Sequence, residues 1–205
     1  MLACPLCGSD GRTDYHGRAD AVCVGCGALE RQRAVAGQLG HELQPRGSGR
    51  CLELAPLNAF VYGDWLRQRG WTYEAFDKRS LREPFEPDGF FRFIDYDADA
   101  TNLYFAATGG YELFLAQHVF EEIPDYRAAF DEVGRVLEPG GRAILEMPWN
   151  PDAAHTEAQE IDQYGNLWRF GADLRDELEA RFDAVVMRTL REPGYTGSFF
   201  ICRTT

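Results

Sequence analysis

Long apolar runs are missing from this chain of 205 residues. No stretch approaches the ~20 consecutive apolar residues that a membrane-crossing helix requires. The opening residues, MLACPLCGSD, have neither the charged nor the apolar region of a secretory leader, so a cytoplasmic location is expected. Positive charge is scarce, with 21 Lys and Arg against 33 Asp and Glu and a net charge of −12. The deficit is local: residues 1–46 hold five Arg and five acidic residues, while 47–205 hold 16 basic and 28 acidic ones. Proteins that grip long nucleic acids neutralise phosphates with Lys and Arg, so this balance argues against RNA or DNA as a partner. Internal repeats and low-complexity tracts are also absent. What is present, with 45% hydrophobic residues, suffices for one well-buried α/β domain and a small appendage.

Four of the six cysteines fall in a regular frame: Cys4 and Cys7 as CPLC, then Cys23 and Cys26 as CVGC, with fifteen residues between the pairs. Thiolates two residues apart can both reach one tetrahedral ion, and a short hairpin brings the second pair opposite the first. Gly8 and Gly27, each just after its pair, permit the tight turns of such knuckles. The spacing predicts a zinc ribbon. The alternatives are two unrelated buried pairs or a pair of disulfides, and disulfides would need an oxidising compartment. With sulfur at all four positions no coordination site is left open, so the Zn2+ is expected to be structural and to fold about 30 residues that could not bury a core alone. Cys51 and Cys202 lie in apolar runs, CLELA and SFFICR, and read as core residues.

After the ribbon, ALERQRAVAGQLGHEL has helical composition and QPRGSGR is a polar, glycine-rich break. This places a domain boundary near Pro45, with a ribbon and linking helix over 1–45 and a larger domain over 46–205. From Arg50 onward, short apolar runs alternate with helical segments. That order predicts a Rossmann-like α/β domain with a mostly parallel sheet covered on both faces. Strands are expected at 50–55, 71–76, 91–95, 111–117, 141–147, 182–190 and 197–203, with helices near 58–69, 125–137 and 172–181. The last two strands are separated only by REPGYTG and should form a terminal antiparallel hairpin.

Seven strands ending in a hairpin, with YELFLAQHVFEEIPDYRAAFDEVGRVLEPGGRAILEMP at 111–148, resemble the class I S-adenosylmethionine-dependent methyltransferases. EVGRVLEPGGRAIL is the most specific part, because helix, Pro-Gly-Gly turn and next strand occur in the family's order. The front cysteines and the later DQYGNLWRFG resemble a branch in which a zinc ribbon precedes the catalytic domain, and the likeness spans nearly the whole chain.

The resemblance implies a cofactor site at the carboxyl ends of the strands. Glu53 matches the family's acidic residue before the first turn, but Ala55, Leu57 and Ala59 stand where glycines are expected. A turn without glycine does not readily use positive φ angles, so the backbone approach to the methionine portion should differ here. Asn58 can cap the following helix. Asp77, 22 residues after Ala55, is placed to hold a ribose diol, as the acidic residue of dinucleotide folds does; otherwise it is a solvated turn residue. In IDYDADATNL, Asp99 is implied to accept from the adenine amino group, with the backbone of Ala100 against the ring, although Asp95 or Asp97 can also be in register. Gln117 and His118 should face the cofactor's methionine end. His118 is a candidate general base, since imidazole titrates near neutral pH.

The long connection at 148–171 is expected to be a lid without regular structure. Its Trp149, His155, Tyr164, Asn166 and Trp168 suit a small amphipathic acceptor, and Arg169 can pair with a carboxylate or phosphate or with a neighbouring acid. Ribbon-bearing relatives would carry histidine near Asn166, so proton handling should differ. The function implied is methyl transfer to an O, N or C nucleophile of a small molecule. Two alternatives stand beside it. One is an RNA methyltransferase whose ribbon, with Arg12, Arg18, Arg31 and Arg33, touches RNA; the other is a scaffold that kept the fold and lost the cofactor.

Overall fold

The computed structural model describes residues 3–56, 59–78 and 94–205. Apolar runs with helices between them build a seven-stranded sheet whose central strands are buried on both faces. Its elements in chain order are β3 (Arg50–Leu54), α2 (Ala59–Arg67), β4 (Thr72–Asp77), β5 (Tyr96–Asp97), β6 (Tyr111–Gln117), a 3₁₀ turn (Phe120–Glu122), α3 (Tyr126–Val136), β7 (Leu137–Glu146), α4 (Leu174–Glu179), β10 (Ala184–Glu192) and β11 (Tyr195–Arg203). Ahead of them come β1 (Arg12–Tyr15), β2 (Arg18–Cys23) and α1 (Glu30–Gln38); β8 (Glu157–Ala158) and β9 (Trp168–Arg169) lie between β7 and α4. The strand order is β10-β11-β7-β6-β3-β4-β5. β3, β4, β5, β6 and β7 run parallel, and β11 is antiparallel to both of its neighbours.

The expected terminal hairpin is present, closed by Pro193-Gly194 with Glu192 opposite Tyr195. The third strand is Tyr96–Asp97, shorter and later than the expected 91–95, of which 91–93 lie outside the described residues. The chain leaves β3 toward β4 and β5, then returns across the sheet to β6 and β7. The order therefore reverses between β3 and β6, where open α/β sheets bind ligands beyond the strands' carboxyl ends.

Side chains from β6 show how the core divides. Phe114 and Ala116 enter one cluster with α3 and α4, while Leu113 and Leu115 enter the other with α1 and α2. α3 starts where Asp125 accepts a bond from the Ala128 N–H (3.0 Å), and it buries Tyr126, Ala129, Phe130, Val133 and Val136 at helical spacing.

Candidate active site

At the carboxyl end of β3 the Ala55 N–H donates to the carbonyl of Phe76 (2.8 Å), joining the first turn to the end of β4. Ala55 has φ +48°. The expectation that a glycine-free turn would avoid positive φ is thus corrected: alanine itself takes the left-handed conformation, at a cost of roughly 1–2 kcal/mol. His118, immediately after β6, also has a positive φ, +53°. Strained residues of this kind, at the ends of the two strands flanking the switch point, point to a functional edge. Leu57 and Asn58 lie outside the described residues.

Asp77 ends β4 and is 8% exposed, so it is not a solvated turn residue. One of its carboxylate oxygens accepts the Lys78 N–H (2.9 Å). Lys78 in turn pairs with Asp99, whose other oxygen accepts from Thr101 N–H (3.0 Å) and Oγ1 (2.8 Å). Burial would raise the Asp99 carboxyl, but Lys78 and Thr101 outweigh it and hold the group below its ordinary value. Asp95 is used differently: its carboxylate accepts the Ala75 N–H (2.8 Å) and braces β4. Asp97 pairs in register with Asp77, and the Ala98 N–H donates to the Asp77 carbonyl (3.1 Å), which sets Asp99 and the buried Ala100 just beyond.

Glu53 is buried in the face covered by α2 and accepts the Tyr73 hydroxyl. Burial raises its carboxyl to about 8, against the opposing pull of Tyr73 and Arg31. Between about pH 4.5 and 8 the folded chain keeps a proton that the unfolded chain has lost, so this group costs stability as pH rises through that window. Glu53→Gln is expected to gain on the native chain by at most about 1.4 kcal/mol per pH unit across it. A difference in urea midpoint independent of pH would show that Glu53 is ionised throughout.

Glu146, ending β7 and 1% exposed, collects three donors at the same edge. Gln117 Nε2 donates to one oxygen (3.1 Å), and His118 Nε2 (3.0 Å) and the Tyr195 hydroxyl meet the other. The second His118 nitrogen, Nδ1, lies 3.0 Å from Glu121. Burial lowers the imidazole pKa, but Glu121 and Glu146 outweigh it and push it up to about 9. His118 is therefore an imidazolium at neutral pH, clamped between two carboxylates. Sequence reasoning did not single out Glu121, Glu146 or Tyr195. The spacing of Glu121 three residues from His118 was a usable signal, whereas nothing local links residues 118, 146 and 195.

The four front cysteines converge. Their sulfurs lie within 4.8 Å of one another, with Cys4–Cys26 at 3.8 Å and Cys7–Cys23 at 3.5 Å. Bonds of about 2.3 Å to one tetrahedral ion set sulfurs about 3.8 Å apart, so Cys4, Cys7, Cys23 and Cys26 can hold such an ion with little adjustment. The knuckles turn as expected: the Gly8 N–H donates to Cys4 O (2.7 Å) and the Gly27 N–H to Cys23 O (2.8 Å), both glycines having positive φ.

A family model described as Methyltransferase domain matches residues 29–180. The chain belongs to this family. Among solved structures this methyltransferase resembles the 1,6-didemethyltoxoflavin-N1-methyltransferase of Burkholderia thailandensis, determined with 1,6-didemethyltoxoflavin and S-adenosylhomocysteine bound. The TM-score is 0.59 and the identity 17%, over 84% of this chain and 76% of that one. It also resembles an S-adenosylmethionine-dependent methyltransferase of Mesorhizobium loti, with TM-score 0.50 and identity 15%, over 84% of this chain and 98% of that one. At these identities the likeness establishes the fold. No curated protein matches the sequence.

In this methyltransferase the connection after β7 is more ordered than expected. β8 and β9 pair antiparallel, and Trp149 bridges to Phe170. The indole N–H groups of Trp149 and Trp168 donate to the carbonyls of Gly171 (2.8 Å) and Ile123 (2.9 Å), and their rings pack edge-on against Phe200 and Tyr126. Asn166 is bonded to Asp162, and Arg169 Nε donates to the Gln159 side chain (2.5 Å). Tyr164 is exposed, and His155, also exposed, faces Asp173 at 3.5 Å. The indoles are anchored to the domain, while His155 and Tyr164 face outward.

Proposed function

We propose that the chain transfers the methyl group of S-adenosylmethionine to an oxygen, nitrogen or carbon nucleophile of a small molecule, in a biosynthetic setting. The observation that carries this reading is the alignment of Ala55, Asp77, Asp99 with Ala100, and Gln117 along one sheet edge at the switch point. That order matches a ligand lying across the strands, with its ribose diol on Asp77, its adenine against Asp99 and Ala100, and its sulfonium end toward Gln117. The bound cofactor supplies an activated methyl: the carbon–sulfur bond breaks as the bond to the nucleophile forms, leaving S-adenosylhomocysteine and the nucleophile's proton. The protein's part is alignment and exclusion of water. His118, already charged at neutral pH, can take that proton only on the alkaline side of its pKa.

The acceptor meets the segment at 148–171, with His155, Tyr164 and Asn166 at its outer side, Trp149 and Trp168 as its anchors, and Arg169 open to an acidic group. The excess of acid in 47–205 favours a small acceptor over RNA. The chain divides at about residue 45, in the ribbon-bearing branch of the family, with one structural zinc on Cys4, Cys7, Cys23 and Cys26. The titration that tests the reading uses S-adenosylmethionine and S-adenosylhomocysteine on the native chain and on Asp77→Ala. Loss of a charged hydrogen-bond partner should weaken both ligands by about tenfold or more. If neither ligand binds the native chain, the methyl-transfer reading is lost and the scaffold alternative takes its place.

A further inference from the structure

His118 sits where the chain passes from β6 into the 3₁₀ turn, and both of its ring nitrogens face carboxylates. Nδ1 lies 3.0 Å from Glu121 and Nε2 lies 3.0 Å from Glu146. A neutral imidazole has one N–H and one bare nitrogen, whereas an ionised carboxylate can only accept. A ring that satisfies both neighbours therefore carries two protons. Glu146 has further donors in Gln117 (3.1 Å) and the Tyr195 hydroxyl, so its charge is served without His118.

Glu121 has no such reserve. It is 2% exposed, and its second carboxylate oxygen is buried without a hydrogen-bond partner. Among the described residues, His118 is the one group paired with its carboxylate. Loss of a ring proton would strand a buried carboxylate without a counter-charge, which a protein interior does not hold without rearranging. The backbone sets what moves with it. The Glu121 carbonyl accepts the Leu167 N–H (2.7 Å), and the Ile123 carbonyl accepts the Trp168 indole N–H (2.9 Å). The turn that carries Glu121 is thus the anchor of the connection at 148–171.

The other titratable groups around Glu146 are the phenols of Tyr195 on β11 and Tyr62 on α2. Burial first, and neighbouring carboxylates next, raise both, so they stay neutral; the charge of Arg31 on α1 opposes this without reversing it. On the connection, His155 faces Asp173 and Arg169 faces Gln159. We propose that His118 is a positioning residue: its doubly protonated ring, bridging Glu121 to Glu146, holds the 3₁₀ turn and through it the connection at 148–171 against the sheet edge, and release of one ring proton lets that connection lift. That the connection meets the methyl acceptor rests on the reading proposed above; the clamp itself does not.

Linkage gives the direction. Burial lowers the imidazole from its ordinary 6.5, but Glu121 and Glu146 outweigh it and push it up to about 9. The clamped ring keeps a proton that the freed ring has lost. Opening is therefore suppressed below about pH 6.5, grows by at most about tenfold per pH unit up to about pH 9, and levels off above.

The test is hydrogen exchange at the Leu167 amide across this range on the full chain, corrected for the intrinsic pH dependence of exchange. The Gly109 amide, bonded to the Arg135 carbonyl (2.9 Å), serves as the reference. Leu167 protection is expected to fall by up to about tenfold per pH unit while that of Gly109 holds, and nitrogen NMR is expected to show both His118 ring nitrogens protonated at neutral pH. Glu121→Gln removes the carboxylate that would be stranded, so Leu167 protection should lose its pH dependence whatever its level. A single protonated ring nitrogen at neutral pH would overturn the proposal. So would protection of Leu167 that is flat with pH in the native chain, that falls in step with Gly109, or that keeps its pH dependence in Glu121→Gln. Titration of S-adenosylhomocysteine into the native chain separates the two readings: a chain that shows the clamp and binds no S-adenosylhomocysteine supports the role of His118 and overturns the methyl-transfer reading alone.

Discussion

Stripping the metal is expected to unfold the ribbon and to lower the melting temperature of the whole chain. Residues 3–29 bury few apolar side chains of their own: Ala21, Ala28 and Leu29 are the fully buried ones beside Cys4 and Cys23. Of these, Cys4, Cys23 and Ala28 form a small cluster that Val61 of α2 completes. A segment with so little core is expected to depend on an ion bound by its four cysteines, since structural zinc sites contribute on the order of 10 kcal/mol or more at neutral pH. The loss should spread, because the ribbon is fastened to the sheet domain at separate points. Trp65 donates its indole N–H to the carbonyl of Pro5 (3.2 Å), and Arg33 joins the ribbon carbonyls to Glu192. Metal analysis should give one zinc per chain. Hydrogen exchange after chelation should show the amides of Cys23, Val24 and Gly27, protected by ribbon bonds in the folded chain, exchanging freely. Unchanged exchange and melting after verified removal of the metal would rule out a metal-held ribbon.

Glu112→Ala should cost about 3–5 kcal/mol, the range seen when one partner of a buried ion pair is removed. Arg142 is fully buried, with Nη1 on Glu112 (3.0 Å), Nε on the carbonyl of Glu42 (2.5 Å) and Nη2 on that of Gln44 (2.7 Å). The Glu112 carboxylate also accepts the N–H groups of Arg46 (2.5 Å), Gly47 (2.8 Å) and Gly49 (2.9 Å). These donors together hold the Glu112 carboxyl below its ordinary value despite its burial. Truncation leaves a buried guanidinium without its close counter-ion and three backbone donors without an acceptor. The glycine-rich stretch QPRGSGR, a plain break by composition, is thus bolted to the sheet chiefly by Glu112, with Glu138 accepting the Ser48 N–H (3.1 Å). The measurement is the urea midpoint at unchanged slope, and the expected fall in melting temperature is on the order of 10 °C. A loss below about 1 kcal/mol would mean that Glu42, 3.8 Å from Arg142 Nε, compensates the charge alone.

Local patterns carried the architecture because each acts over a few residues. YELFLAQ is apolar enough to be buried on both faces, and its strand runs Tyr111–Gln117 as expected. The helical pattern near 125–137 became α3, and Pro193-Gly194 between two strand-like runs marked the hairpin. The cysteine frame behaved likewise, since two knuckles and a hairpin are local geometry. The connection after β7 was less legible. Its regular structure is two residues per strand, too short for any period to register, and it is stabilised by Trp149 and Trp168 docking on distant carbonyls.

The amino-acid order by itself determined the strand and helix sequence, the ribbon, and the acidic residues at the strand ends, because hydrophobic period, turn chemistry and metal-ligand spacing are written within a few positions. Only the tertiary structure decided that Ala55 takes a glycine's conformation and that Glu146 gathers Gln117, His118 and Tyr195. Charge state and strain depend on burial and on partners brought from 28 to 49 residues away along the chain; those distances close only when the sheet forms.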